Sequence, residues 1–148
     1  LREEGSPART AAGGQWGNHC AVETAAHGER GMTLHFDLPY PPSVNHYWRR
    51  VGARTLISRA GRAFRERVCS LLAARQIDPL AGPLAVQIEV FPPDHRRRDI
   101  DNLQKALLDA LQHGGAYFDD SQIVSLCITK REVVPAGRTL VTIEKSAC

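Results

Sequence analysis

Long hydrophobic runs are absent from this sequence of 148 residues. No apolar stretch approaches the roughly 20 residues that a helix needs to cross a bilayer, and the opening residues lack the apolar segment of a secretory signal. The pattern therefore argues against a membrane-spanning protein. We expect a cytoplasmic protein that has no membrane partner.

Closely spaced cysteines are also missing. Cys20, Cys69, Cys127 and Cys148 are widely separated, with no C-x-x-C pair and no histidine at the spacing of zinc ligands. The pattern argues against a zinc site, and it predicts four free thiols.

A strong net charge is lacking as well, because the formal value is only +3. Overall charge is thus a weak argument for a nucleic-acid partner. With 43% hydrophobic and 24% charged residues, the composition fits one globular domain better than a disordered chain.

Residues 1–31 differ in composition from the rest of the chain. Gly, Ala and Glu dominate this segment, apolar periodicity is missing, and the first patterned segment begins after Met32. We predict that residues 1–31 are a disordered or non-native leader, and that residues 32–148 form the folded domain. A domain of this length has little core, so a dimer would help it to bury surface.

The apolar pattern beyond Met32 changes between period two, which is typical of strands, and helical spacing. It predicts strands over 33–38, 84–90, 123–131 and 139–145, a loose hairpin or basic loop over 46–57, and helices from Ser58 to about Asp78 and from about Asn102 to His113. This order predicts an α+β domain, in which a small mixed β-sheet carries two main helices on its face.

The most informative segment is residues 94–105, DHRRRDIDNLQK, between a predicted strand and a predicted helix. If the backbone is still extended at Asp99 and Asp101, both carboxylates point to the same side and can share one hard cation. Lys105 follows Asp101 by four residues, and Asp109 follows Lys105 by four, so the three line one face of a helix.

A second acidic element, Asp119 and Asp120, stands between the second helix and the next strand. A short return of the chain would bring it beside Asp99 and Asp101. Mg²⁺ prefers oxygen ligands in octahedral geometry, and three converging aspartates meet that preference. A metal ion with a nearby lysine is suited to hydrolysis of a phosphodiester.

Simpler roles exist for the same residues. An Arg/Asp-rich segment is most often a solvated loop whose charges pair with one another. Asp101 would serve as a helix cap, and Asp109 would pair with Lys105, which is the role we favour for Asp109. Neither role explains why acids concentrate at the ends of two separate elements.

Two motifs resemble the RusA family of Holliday junction resolvases, which occurs in phages and prophages. The run from Arg96 to Lys105, followed by Asp109 and by Asp119-Asp120, is similar to the family's core motif. The segment LPYPPSVNHYW over residues 38–48 resembles its N-terminal signature. Two motifs in the right order are more specific than either alone, and the resemblance spans about residues 32–145.

The resemblance implies a homodimeric, Mg²⁺-dependent endonuclease, with Mn²⁺ as a substitute, that cuts four-way DNA junctions by paired symmetric nicks in recombination and repair. Asp99, Asp101 and Asp120 would be the catalytic metal-binding acids, and Lys105 would be the catalytic cation at the phosphate. Residues that would support the metal ligands are Asp119, Asp109 and Asn102.

Basic residues are concentrated in two places that fit a DNA partner. Phosphate contacts need arginines, and stacking on unpaired bases needs aromatic rings. The predicted DNA-binding residues are Arg49, Arg50, Arg54, Arg62, Arg96, Arg97, Arg98, Tyr47 and Trp48.

Two other functions remain open at this point. A non-catalytic, structure-selective DNA-binding module would bind a junction equally well with every acid replaced, and it would never cut. A different metal-dependent phosphohydrolase would act on nucleotides, flaps or other branched DNA. Cleavage of a labelled junction in Mg²⁺, beside linear and flap substrates, distinguishes these alternatives.

Overall fold

The computed structural model describes residues 32–147, so the predicted leader over 1–31 lies outside the described residues. Its elements are β1 (Thr33–Leu38), α1 (Val44–Tyr47), β2 (Trp48–Val51), β3 (Arg54–Ile57), α2 (Arg59–Ala74), β4 (Leu84–Phe91), α3 (Asp101–His113), a 3₁₀ turn (Asp120–Gln122), β5 (Ile123–Lys130) and β6 (Arg138–Lys145). No helix in this part of the chain is long and apolar enough to span a membrane.

Four strands form one mixed sheet in the order β1-β6-β4-β5. β6 is antiparallel to both β1 and β4, whereas β5 runs parallel to β4. Parallel neighbours need a crossover connection, and α3 provides it between β4 and β5. The predicted α+β domain, with a mixed sheet and two main helices, is confirmed.

The core lies between the sheet and the two longer helices. Alternate residues of β1, Leu34, Phe36 and Leu38, are buried, as the period-two pattern predicts. The helices contribute apolar residues at helical spacing, which are Phe64, Val68 and Leu72 from α2 and Leu103, Leu107 and Leu111 from α3. This packing holds α3 in place against the sheet.

Helix α2 begins where the sequence predicts and ends earlier. The Ser58 side chain accepts a hydrogen bond from the Gly61 amide, which is the geometry of an N-cap. The helix ends at Ala74 instead of near Asp78 because Gln76 takes a left-handed φ of 49°. The proline that follows Asp78 is therefore not what ends the helix.

The hairpin alternative for residues 46–57 is correct. β2 and β3 pair with each other as a two-stranded sheet that is separate from the main one. Gly52, with a φ of +60°, lies in the turn between them. The short helix α1 before the hairpin was not predicted, since four residues are too few to show a helical period.

The prediction of four free thiols needs a correction. Cys69 is a free cysteine, but Cys127 in β5 is disulfide-bonded. Sequence spacing does not report which cysteines the fold brings within disulfide range. Cys20 and Cys148 lie outside the described residues.

Candidate active site and nucleic-acid interface

Residues 92–100, called here the acidic loop, follow β4 at the end of the sheet where the parallel strands β4 and β5 both end. Loops at the carboxyl ends of parallel strands are the usual place for sites in such sheets. Lys130, the last residue of β5, donates a hydrogen bond through Nζ to the carbonyl oxygen of Arg98 at 2.5 Å. The end of β5 is thereby joined to the loop that carries Asp99.

Asp99 and Asp101 line one cleft of about 780 Å³, together with Gln104 and Lys130. Asp101 stands in the first turn of α3, whose N-cap is Ile100 and has no capping side chain. Ile100 has helical dihedrals, so the two carboxylates share the cleft through the first helical turn and not through strand alternation. Among the hydrogen bonds and salt bridges within residues 32–147, neither carboxylate has a partner.

Lys105 and Asp120 form a second pair, with Nζ and Oδ2 3.8 Å apart. The Asp120 amide donates to Oε1 of Gln112, near the carboxyl end of α3. Because α3 returns the chain to the start of β5, Asp120 lies at the other end of the parallel pair from Lys130. In the described part of the chain, no three acidic, His or Cys side chains are close enough to hold a metal ion. The expected convergence of three aspartates is therefore not seen there.

Asp119 has a structural role in the turn before β5. Its carboxylate accepts a hydrogen bond from the Ser121 amide at 2.8 Å, while the Gln122 side chain accepts one from the Asp119 amide. These reciprocal bonds form a capping box. The hydrogen bonds from Ser121 hold the pKa of Asp119 below its usual value. The carboxylate is thus engaged by the turn.

Asp109 pairs across the helices and not with Lys105. Its carboxylate forms a 2.8 Å salt bridge with Arg65 of α2 and accepts a hydrogen bond from the Tyr47 hydroxyl. Burial tends to raise the pKa of Asp109, but the bonds from Tyr47 and Arg65 outweigh it, so the pKa is lowered. The structural role favoured for Asp109 stands, with Arg65 as its partner.

Tyr47 was predicted to stack on DNA bases, and this prediction is wrong. Its side chain is 0% exposed, and its ring packs edge-on against Trp48 with centroids 5.0 Å apart. Burial raises the pKa of Tyr47 to about 12, and the bond to Asp109 adds to the effect. Tyr47 is therefore a core residue and a hydrogen-bond donor. Trp48, in contrast, is partly exposed, and its contact with DNA stays a prediction.

Arg98 stabilises the acidic loop through hydrogen bonds within it. Its guanidinium contacts both carboxylate oxygens of Asp94, at 2.5 and 3.0 Å, and lies 5.8 Å from the centroid of the Tyr40 ring. The bond from Arg98, followed by that from the Arg96 amide, lowers the pKa of Asp94. Arg98 also lines the cleft of Asp99. Its contact with DNA stays a prediction.

A second groove brings the two sequence motifs together. It has a volume of about 470 Å³, and it runs from the proline-rich N-terminal segment to the arginines of the acidic loop and the start of α3. The lining includes Ser43 and Asn45 from one motif and Arg97, Asp99 and Asn102 from the other. Asp99 lines both clefts, so this groove leads to the carboxylate pair.

The arginines separate into paired and unpaired groups. Arg65, Arg131 and Arg138 each form a close salt bridge with an acid. In contrast, no salt bridge within residues 32–147 involves the predicted DNA-binding arginines of the hairpin and α2, which are Arg49, Arg50, Arg54 and Arg62, or Arg97 of the loop. Arg96 has only a long contact with Asp94, at 3.9 Å, and its side chain is 84% exposed. The unpaired arginines, together with Arg96, are available to an anionic partner.

Lys130 and Gln104 both line the cleft of Asp99, although neither was predicted as a site residue. Gln104 lies within the acidic motif and carried no separate signal. Lys130 lies inside the strand predicted over 123–131, but only the parallel pairing of β5 with β4 places it beside Asp99. A strand order cannot be read from a local pattern.

Comparison with known proteins assigns the family. Residues 39–144 match the family model described as Endodeoxyribonuclease RusA. The crossover junction endodeoxyribonuclease of Enterobacteria phage 82 is 45% identical over 112 residues, and those of Shigella sonnei (strain Ss046) and Escherichia coli (strain K12) are 44% and 43% identical. Each match covers 75% of this chain and 93% of the relative. This chain therefore belongs to the RusA family of endodeoxyribonucleases.

Proposed function

We propose that this chain is a metal-dependent endonuclease that resolves four-way DNA junctions by paired nicks, acting in recombination and repair in the cytoplasm. Membership of the family, and the junction-cleaving activity that the relatives are named for, support this reaction and substrate. The observation that carries the proposal is the pair of unpartnered carboxylates, Asp99 and Asp101, in one cleft, next to the groove that Asp99 shares with the unpaired Arg97.

The donor chemistry of the cleft fits Mg²⁺, with Mn²⁺ expected to substitute. Mg²⁺ is usually held by one or two carboxylates together with waters and substrate phosphate oxygens. Asp99 and Asp101 provide two exposed carboxylates, and neither forms a hydrogen bond or salt bridge with another described side chain. When bound, such an ion would polarise the phosphate and lower the pKa of a bound water. The resemblance also names Asp120 as a ligand, and this assignment stays a prediction.

The side chains around the carboxylates have separate roles in the proposed reaction. Lys105, on α3 one turn beyond Asp101, would offset the charge that develops on the phosphate. In the described structure the Lys105 ammonium lies 3.8 Å from the Asp120 carboxylate, which would hold it until a phosphate binds. Arg98, held by Asp94, and Lys130, bonded to the Arg98 carbonyl, fix the loop on which Asp99 stands.

A homodimer is part of the proposal. A four-way junction is two-fold symmetric, and its resolution needs nicks in two opposed strands. One copy of the described chain has one Asp99–Asp101 cleft. Light scattering at micromolar concentration should give about twice the 16.3 kDa mass of the chain. A monomeric mass, both free and on a junction, would contradict this part of the proposal.

The deciding experiment is a cleavage assay on a labelled mobile four-way junction, with linear duplex and flap DNA as controls. We expect symmetric nicks in the junction with Mg²⁺, no nicks with EDTA, and little cutting of the duplex. Binding without cleavage in either metal would support the non-catalytic module instead. Equal cutting of the flap would support a nuclease for branched DNA in general.

A further inference from the structure

The hairpin formed by β2 and β3, called here the ribbon, presents one face to solvent. Side chains alternate across a strand, so Arg49 and Val51 point to the same side, and their cross-strand partners Leu56 and Arg54 share that side. Each apolar residue on this face is thus paired with an arginine. The ribbon belongs to neither the main sheet nor its core.

The two apolar side chains of that face are exposed to solvent. Val51 is 47% exposed and Leu56 is 44% exposed. The opposite face holds the partly buried pair Trp48 and Ile57 at the base of the ribbon, followed by the exposed pair Arg50 and Thr55. The ribbon therefore meets the protein at its base, and the face with Val51 and Leu56 is partly apolar and strongly basic.

The base of the ribbon is firmly held. Tyr47, directly before β2, is 0% exposed, and its carbonyl accepts a hydrogen bond from the Ser58 amide at 2.8 Å. Gly61 allows α2 to approach closely, since a Cβ there would lie 2.7 Å from the Tyr47 carbonyl oxygen. The base of the ribbon is therefore fixed to α2, and the face with Val51 and Leu56 has a defined position on the protein.

Charge identifies the partner. The sequence has no Asp or Glu between Asp37 and Glu66, and none of the ribbon's arginines has a salt bridge within the described residues. A second copy of the ribbon would bring like charges together. Nucleic acid combines phosphates for the arginines with base faces for Val51 and Leu56. A two-stranded ribbon is also narrow enough to enter a DNA groove, and apolar wedges are known to separate base steps.

From this arrangement we infer that Val51 and Leu56 pack against base faces at the branch point of DNA, while Arg49 and Arg54 hold the flanking phosphates. This inference rests on the proposed function, because a branch point offers unstacked bases that a continuous duplex does not. The ribbon then selects branched DNA, whereas the carboxylate cleft cuts it.

The test compares the Val51→Ser/Leu56→Ser double variant with Leu71→Ser, which changes a similarly exposed leucine (39%) on α2. The probes are a four-way junction with 2-aminopurine at the branch point and a linear duplex of the same sequence. We expect the wild-type protein and Leu71→Ser to raise the fluorescence on binding. The double variant should lose most of that rise and bind the junction about tenfold more weakly, as when one stacking contact is lost.

Linear-duplex affinity and the salt dependence of junction binding should not change in the double variant, because its arginines remain. Unchanged junction affinity and fluorescence would overturn the inference, as would an equal loss on duplex DNA. A fall in mass by light scattering would show that the face joins two copies instead.

If the wild-type protein neither binds nor cuts junctions, the proposed function fails as well. If it cuts them and the double variant behaves like Leu71→Ser, only the ribbon inference fails.

Discussion

The Tyr47 hydroxyl donates a hydrogen bond to the Asp109 carboxylate, and so joins residues 62 positions apart. Arg65 bonds to both groups, at 3.2 Å to the Tyr47 oxygen and 2.8 Å to Asp109. The three residues come from α1, α2 and α3. The network therefore links the base of the ribbon to the helix that begins at Asp101.

Replacing Tyr47 with Phe should destabilise the protein by about 1–3 kcal/mol, because the partly buried Asp109 carboxylate loses a donor. The free energy of unfolding in urea measures this loss. Tyr40→Phe is a matched control, since the buried Tyr40 hydroxyl has no hydrogen-bond partner among the described residues. Equal losses in the two variants would show that the Tyr47 hydroxyl contributes nothing through Asp109.

Asp109 should make stability depend on pH at the acidic end. Its folded pKa is lowered, so its contribution is complete above its ordinary pKa of about 3.9 and is lost as pH falls through the folded value. The difference in unfolding free energy between wild type and Asp109→Asn should be constant near neutral pH and shrink below about pH 4. A difference that stays constant down to pH 2 would contradict the lowered pKa.

Asp99→Asn and Asp101→Asn should each lower cleavage by orders of magnitude while junction binding survives or tightens. Each change keeps the side-chain shape but removes a charged oxygen ligand. Single-turnover cleavage and gel-shift affinity measure the two effects separately, with the exposed Asp78→Asn as control. Near-normal cutting by either variant in Mg²⁺ would remove the basis of the proposed mechanism.

Lys130→Ala should lower the apparent affinity for Mg²⁺. The Arg98 carbonyl loses its hydrogen bond, so the loop that carries Asp99 is held less firmly. We expect the Mg²⁺ concentration for half-maximal cleavage to rise roughly tenfold, the usual effect of losing a residue that orients a metal ligand. Lys130→Arg, which keeps a donor, should recover most of the affinity. An unchanged Mg²⁺ titration in Lys130→Ala would show that the contact does not position Asp99.

Arg49→Ala and Arg62→Ala should weaken junction binding and flatten its dependence on salt. Each phosphate contact that is lost reduces the slope of log K against log salt by about 0.9. Arg138→Ala is the control, because Arg138 is already bonded to Asp37 at 2.7 Å. A slope that matches the wild type in both variants would place DNA on another surface.

The sequence by itself determined the elements that have a local signal. The period-two strands, the cap at Ser58 and the helix that begins at Asp101 follow from side-chain alternation, capping and helical apolar spacing, which act within a few residues. The concentration of acids over 94–105 and of arginines over 49–67 was also visible without a structure. Asp99 and Asp101 do line one cleft, although not through the strand geometry that we expected, and their joint binding of a metal ion stays a prediction.

Only the tertiary structure decided which distant groups meet. The burial of Tyr47, the choice of Arg65 as the partner of Asp109 and the position of Lys130 beside Asp99 depend on how α1, α2 and β5 pack. The position of Asp120 at the start of β5, 3.8 Å from Lys105, follows from α3 returning the chain to the start of a parallel strand. Such contacts depend on strand order and helix packing, which are properties of the whole core, and no local pattern of residues encodes them.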